Sequence, residues 1–232
     1  MPVSRRGFLG YAAAGSMAGF IGGLRRALAL PPNSGVPQET VLADPGPSCL
    51  LRESMAGYES ALSSAKVSFR RAGLQRLPHA RKIILPASAI ADQSKLILVK
   101  SRVEGGATVL LESAAGFLSD EEFDFHRRVM ISVFGLSLHT SVRLWGPSDT
   151  VRNSPYIDYG WPIETKVRDF SRIIPVACRN AEAIAWFDGQ PVGARRRVGK
   201  GTLVFLGSPL GPHLLASDRE AVDWFEAFCV VA

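Results

Sequence analysis

The stretch that decides the fold begins Lys82-Ile83-Ile84-Leu85-Pro86 and closes Val103-Glu104-Gly105-Gly106-Ala107-Thr108-Val109-Leu110-Leu111-Glu112. The first run is aliphatic without alternation, the pattern of a strand buried on both faces, and Pro86 is expected to stop it. Between about Ala91 and Glu104, Leu96, Val99 and Val103 fall at helical spacing. Gly105-Gly106 then ends the helix, because glycine accepts a left-handed conformation. Thr108–Leu111 is a second buried strand. Strand, helix, Gly-Gly, strand makes a βαβ unit with a right-handed crossover.

Outward from this unit the punctuation continues. Ser119-Asp120-Glu121-Glu122 is a capping box, and Phe123, Arg127, Met130, Ile131 and Phe134 follow on its helix up to Gly135. Residues 138–145 read as a strand. Residues 146–170 hold Pro147, Pro155, Gly160 and Pro162 and read as a long loop. Ala183–Phe187 and Pro191–Arg197 are strands around Asp188-Gly189, and Gly199-Lys200-Gly201 turns the chain into Thr202–Leu206. Ser217-x-x-Glu220 is a second capping box before a helix with Ala221, Trp224, Phe225 and Phe228 on its core face. Upstream, Val41–Ala43 is a strand, residues 52–64 are a helix with Met55, Tyr58 and Leu62 on one face, and Lys66–Phe69 is a further strand. The expected fold is α/β: a mostly parallel sheet flanked by helices, with an antiparallel β-hairpin toward the C-terminus, in a single domain over 40–232.

The whole chain has 232 residues, 47% hydrophobic and 21% charged, which excludes a disordered or collagen-like protein. Its formal net charge is +6. Arg5, Arg6, Arg25 and Arg26 stand in the first 29 residues, which hold no acidic residue. Without that stretch the chain is nearly neutral, so no nucleic-acid partner is expected.

Ser4-Arg5-Arg6-Gly7-Phe8-Leu9 precedes a Gly- and Ala-rich apolar stretch, and Ala27 and Ala29 form an Ala-x-Ala cleavage site. Arg5-Arg6 with Phe8-Leu9 resembles the twin-arginine export signal. This implies a signal over 1–29, a flexible lead-in over 30–39, the twin-arginine machinery as a partner, and a periplasmic or extracellular destination. Substrates of that route cross the membrane already folded. A retained membrane anchor is the alternative for residues 7–24, although its glycines weaken a spanning helix.

The strand of Lys82–Pro86, the Gly-Gly strand ending in Glu112 and the closing segment Gly199–Pro209 together resemble the class I glutamine-amidotransferase-like, flavodoxin-like fold. They are most similar to the branch containing β-galactosidase trimerisation domains and related non-catalytic domains. Catalytic members of that fold carry a nucleophilic Cys after a strand. Here the matching place reads Leu110-Leu111-Glu112-Ser113-Ala114-Ala115-Gly116. The resemblance therefore implies a non-catalytic domain for ligand binding or assembly in the cell envelope, linked to polysaccharide metabolism.

The rival expectation is a hydrolase of an amide, ester or glycosidic bond, using Ser113 or paired carboxylates. Ser113 at a strand-to-helix turn, with Glu112 beside it and His126 or His213 as base, has the residue types for nucleophilic catalysis. The hydrolase elbow needs glycines on both sides of the Ser, and Leu111 and Ala115 stand there. The alternative role for Ser113 is to cap the turn that follows. His79, His126, His139 and His213 show no metal-ligand spacing, and Cys49, Cys178 and Cys229 form no Cys-x-x-Cys. Gly199-Lys200-Gly201 lacks the phosphate-loop frame. No metal and no cofactor is expected. Tyr156, Asp158, Tyr159, Trp161 and Arg168 combine aromatic faces with charged groups, which suits a carbohydrate or peptide ligand; stapling of the loop to the sheet is the competing role. Arg195-Arg196-Arg197 reads as a solvated sheet edge.

Overall fold

The computed structural model describes residues 39–46, 52–88, 92–144, 155–169 and 171–231, all within the unit Gly35–Ala232. The export signal with Arg5, Arg6, Phe8 and Leu9, the cleavage site at Ala27 and Ala29, and Cys49 lie outside the described residues.

The elements, in order, are β1 (Thr40–Asp44), α1 (Arg52–Ser64), β2 (Phe69–Gly73), β3 (Lys82–Ser88), α2 (Gln93–Glu104), β4 (Thr108–Ser113), α3 (Asp120–Phe134), β5 (Ser137–Leu138), β6 (Val142–Arg143), β7 (Tyr156–Tyr159), β8 (Thr165–Arg168), β9 (Arg172–Ile173), β10 (Val176–Ala177), β11 (Glu182–Phe187), β12 (Gln190–Val198), β13 (Gly201–Leu206), α4 (Gly211–Leu215) and α5 (Arg219–Val231). Nine strands form one sheet in the order β2-β1-β3-β4-β13-β12-β11-β7-β8. The first five are mutually parallel. The antiparallel strands β12, β11, β7 and β8 extend the sheet on the far side of β13. Two short pairs, β5–β10 and β6–β9, lie outside the main sheet.

Helices cover both faces, which is why the central strands need no polar alternation. Ile83, Leu85, Val109, Leu111, Leu203 and Phe205 face the core shared with Leu96, Val99 and Val103 of α2 and Phe123 and Met130 of α3. Ile84, Leu110, Val204 and Leu206 face the other core, with Tyr58 and Leu62 of α1, Leu214 of α4, and Trp224, Phe225 and Phe228 of α5. No described helix is long and apolar enough to cross a membrane.

The first capping box is present in both directions between Ser119 and Glu122. Several local expectations are corrected. Pro86 does not stop β3, which runs on to Ser88. The missing N–H is absorbed by a register shift between Leu85 and Ser88 in the β3–β4 pairing, with Ala87 at φ 37. The strand expected at Lys66–Phe69 forms at Phe69–Gly73 instead, because Lys66 at φ 55 is still turning the chain out of α1. The Gly105-Gly106 pair ends α2 as expected, with Gly106 taking the positive φ. Of the strand expected at 138–145, the described residues form only Leu138, which ends β5, and the two-residue β6. The presumed loop 146–170 contains the hairpin β7–β8, which continues the main sheet. Ser217 does not cap α5; Asp218 does, its Oδ1 accepting from the Ala221 amide at 3.0 Å. Of Arg195–Arg197 on β12, Arg195 is paired on both sides, with Glu182 of β11 and Val204 of β13, whereas Arg196 and Arg197 run past β11 and pair with β13 alone.

Candidate functional site at the carboxyl edge of the sheet

In parallel α/β sheets, ligand sites form beyond the carboxyl ends of the strands. Here β4 and β13 are neighbours in register, with Leu206 opposite Glu112. Their ends deliver Glu112 and Ser113 on one side and Gly207-Ser208 on the other. Ser88 at the end of β3 stands opposite Ser113. Consecutive strand residues point to opposite faces, so Glu112 and Ser113 diverge.

Glu112 points toward α1 and α4 and is fully buried. Ser54 Oγ donates to its Oε1 at 2.6 Å, and the Gly211 amide donates to Oε2 at 3.0 Å. Ser54 and Tyr58 are four residues apart on α1 and share its buried face. The Tyr58 hydroxyl stands near the same carboxylate without closing a hydrogen bond of normal geometry. Burial pushes the Glu112 carboxyl above its ordinary value near 4.5, against the donors that hold it charged. Burial and then the Glu112 charge push the Tyr58 hydroxyl well above the usual tyrosine range. The backbones of α1 and α4 touch here: a Cβ added to Gly57 would lie 1.9 Å from the Gly211 carbonyl oxygen.

A second buried carboxylate follows β8. Asp169 Oδ1 accepts from the Ser171 amide at 2.7 Å and from Ser171 Oγ at 2.6 Å, and Oδ2 accepts from Ser208 Oγ at 2.5 Å. Tyr159 lies between the two carboxylates electrically. Burial first, then the charges of Asp169 and Glu112, raise its hydroxyl far above the usual tyrosine range. Each described oxygen of both carboxylates thus has a donor from this chain. A general acid or base must reach its substrate; these two reach other elements of the fold and tie α1, α4 and the end of β8 to the sheet.

The sequence candidates for catalysis do not converge. Ser113 is buried, and its Oγ accepts from the Ala115 amide at 3.3 Å, just before the 3-10 turn Ala115–Phe117. His126 is buried on α3, among the helices of the α2–α3 face. His213 is part of α4, on the opposite face with Glu112. Among the described residues, no three His, Cys, Asp or Glu side chains gather to hold a metal.

The aromatic set divides along the alternation of β7. Ile157 and Tyr159 face inward, and Tyr159 packs on Trp224 with ring centroids 5.2 Å apart. Tyr156 is 41% exposed; Arg168 Nε donates to its hydroxyl at 3.1 Å and the guanidinium lies over its ring. Asp158 pairs with Lys166 at 2.8 Å. The Trp161 carbonyl accepts from Trp224 Nε1 at 2.8 Å, its ring meets Phe228 edge-on, and Arg195 covers it at 4.7 Å. A cleft of about 430 Å³ then opens between hairpin and helices, lined by Tyr156, Lys166, Arg168, His213, Asp218 and Glu220. It brings together Tyr156, Arg168 and His213 from the sequence candidates.

This fold also occurs inside glycosidases. An exo-β-1,4-mannosidase from Opitutaceae bacterium strain TAV5 matches with a TM-score of 0.60 and 15% identity, over 85% of this chain and 36% of that one. A β-galactosidase from Bacillus circulans sp. alkalophilus matches with a TM-score of 0.59 and 17% identity, over 81% of this chain and 31% of that one. The chain thus spans about a third of the length of these enzymes. A cytoplasmic protein from Salmonella typhimurium LT2 matches with a TM-score of 0.60 and 10% identity, over 82% of this chain and 98% of that one. The sequence matches no protein-family model and no curated protein. At these identities the likeness concerns the fold.

Sequence reasoning did not assign Ser54 or Tyr58 to the site. Their signal was two polar groups on the apolar face of α1. The matching signal on β4 was one carboxylate closing an aliphatic strand.

Proposed function

We propose that this chain is an exported, non-catalytic domain of the glutamine-amidotransferase-like class that binds a saccharide or peptide in the cell envelope, in the service of polysaccharide metabolism. One observation carries the reading. The carboxyl edge, where an α/β enzyme opens its reaction cleft, is closed here by two buried carboxylates engaged entirely within the chain. The open feature beside it is the cleft of Tyr156, Arg168 and His213. One exposed ring with charged groups of both signs around it has the composition that saccharide recognition uses. The flavodoxin-like assignment rests on the parallel strands, whose order of second, first, third, fourth and last is that of the class. The link to polysaccharides is supported by the glycosidases that contain the same fold. Export to the periplasm or beyond rests on Arg5-Arg6 and Phe8-Leu9. The role calls for no cofactor.

The test is a titration of the folded domain with neutral oligosaccharides and with short peptides, followed by NMR. Shifts confined to the cleft, weakened at least tenfold by Tyr156→Ala, are expected. Turnover of a chromogenic ester, amide or glycoside that disappears in Ser113→Ala would overturn the reading. Export has a separate test: Arg5→Lys with Arg6→Lys should leave the precursor in the cytoplasm, and undiminished export would sink it.

A further inference from the structure

The amino edge of the sheet carries a second cleft, of about 650 Å³, lined by Trp161, Asn180, Glu182, Val231, the arginines of β12, Thr108 and Thr202. Its floor follows from strand register. Lys82 of β3 stands opposite Thr108 of β4, Thr108 opposite Thr202 of β13, and Thr202 opposite Arg197 of β12. Directly opposed residues point to the same face. Four neighbouring strands therefore present two hydroxyls between two cations, on the face that α5 covers.

The cations divide by partner. Lys82 donates to the Cys229 carbonyl in the last turn of α5, so the negative end of that helix is answered before it reaches the cleft. Arg196 donates across the other face to the Phe134 carbonyl. Arg195 binds Glu182, with Nε to Oε2 at 3.0 Å, and its guanidinium lies over the Trp161 ring, 4.7 Å from the centroid. Arg197 is exposed and pairs with no described carboxylate. Nor do the side chains of Thr108, Thr202 and Asn180 hydrogen-bond to any described group. One guanidinium, two hydroxyls and an amide thus line one cavity with their donors unused.

We infer that this cleft binds a small oxyanion, the carboxylate or phosphate of a sugar acid or sugar phosphate, with Arg197 as the charged anchor and Thr108, Thr202 and Asn180 as hydrogen-bond donors. A planar guanidinium fork matches such an oxyanion bidentately. The Arg195–Glu182 pair beside Trp161 forms one wall. Arg195 already covers the Trp161 ring and Phe228 meets it edge-on, so charge and hydrogen bonds select the ligand rather than an apolar sugar face. The site is separate from the Tyr156 cleft and stands or falls without it.

The folded chain is titrated with inorganic phosphate, glucuronate and glucose at low salt, by NMR and calorimetry. Phosphate or glucuronate should bind, and Arg197→Ala should weaken binding at least tenfold, with Thr202→Val giving a smaller loss. Raising the salt should weaken it too. Glucuronate alone would identify a sugar acid, and phosphate alone a phosphorylated ligand. Arg128→Ala, an exposed arginine on α3 across the sheet, should leave the affinity unchanged. Binding of neither anion below 10 mM (on the order of the weakest useful small-ligand affinity), equal affinity in Arg197→Ala, or glucose shifting the resonances of this cleft at concentrations as low as the anions do would overturn the assignment.

Discussion

The Ser54 hydroxyl donates to Glu112 Oε1 at 2.6 Å, joining the start of α1 to the end of β4. Both partners are fully buried. A hydrogen bond to a buried charge contributes about 1.5–3 kcal/mol. Ser54→Ala should lose that much in chemical denaturation. Glu112→Ala should lose about 3–5 kcal/mol, because it leaves a void and strands the Ser54 hydroxyl and Gly211 amide. A loss below about 0.5 kcal/mol in both variants, the range of an ordinary surface change, would show that the carboxylate does not hold these elements together.

Stability should also depend on pH through the same group. Burial raises the Glu112 carboxyl in the folded chain above its ordinary value near 4.5. The folded state therefore takes up its proton first as pH falls, and protonation favours folding within that window. Relative to Glu112→Gln, the wild type should gain stability as pH falls from 7 toward about 4.5, and the gain should be complete below the unfolded value. A difference between the two proteins that stays flat over this range is the contrary result.

Gly57→Ala should be severely destabilising. Its Cβ would lie 1.9 Å from the Gly211 carbonyl oxygen, so the backbones of α1 and α4 must separate. A loss of about 3 kcal/mol or more is expected, well above the centre of the distribution for point changes. A melting temperature unchanged from wild type would mean that the helices do not approach this closely in solution.

Trp161 and Tyr156 should behave oppositely. The Trp161 ring carries Arg195 over it and meets Phe228 edge-on, contacts that substitution removes, whereas the backbone carbonyl that accepts from Trp224 Nε1 is retained. Trp161→Ala should cost about 2–4 kcal/mol by the scale of large-to-small changes. Tyr156→Ala should stay within about 0.5 kcal/mol. Equal losses from both would place Tyr156 among the packing residues.

The central βαβ unit was legible because its strands are buried on both faces and carry uninterrupted aliphatic runs. The first helix cap was legible because both halves of the Ser119–Glu122 box are encoded locally. The β7–β8 hairpin was not. Tyr156-Ile157-Asp158-Tyr159 does alternate, but Pro155, Gly160 and Pro162 bracket it, and its pairing with β11 is a long-range contact. The cap of α5 moved by one residue because Ser217 takes a positive φ, leaving Asp218 to meet the Ala221 amide. The buried site was half legible. Glu112 and Ser208 end strands that could be read. Ser54 and Asp169 reach them from segments 58 and 39 residues away, and no local pattern encodes that meeting.

The place of β13 governs how the protein must come into being. It is the last strand of the sheet in sequence, yet four strands lie on each side of it. Until residues 201–206 are synthesised, β4 and β12 are raw hydrogen-bonding edges with nothing between them. The sheet cannot assemble progressively from the ribosome, and its completion waits on a pairing between distant parts of the chain, which makes folding slow. A nascent chain halted at Gly199 is therefore no smaller edition of this domain. It is two unfinished sheets with open edges, the kind of species that aggregates and that chaperones recognise.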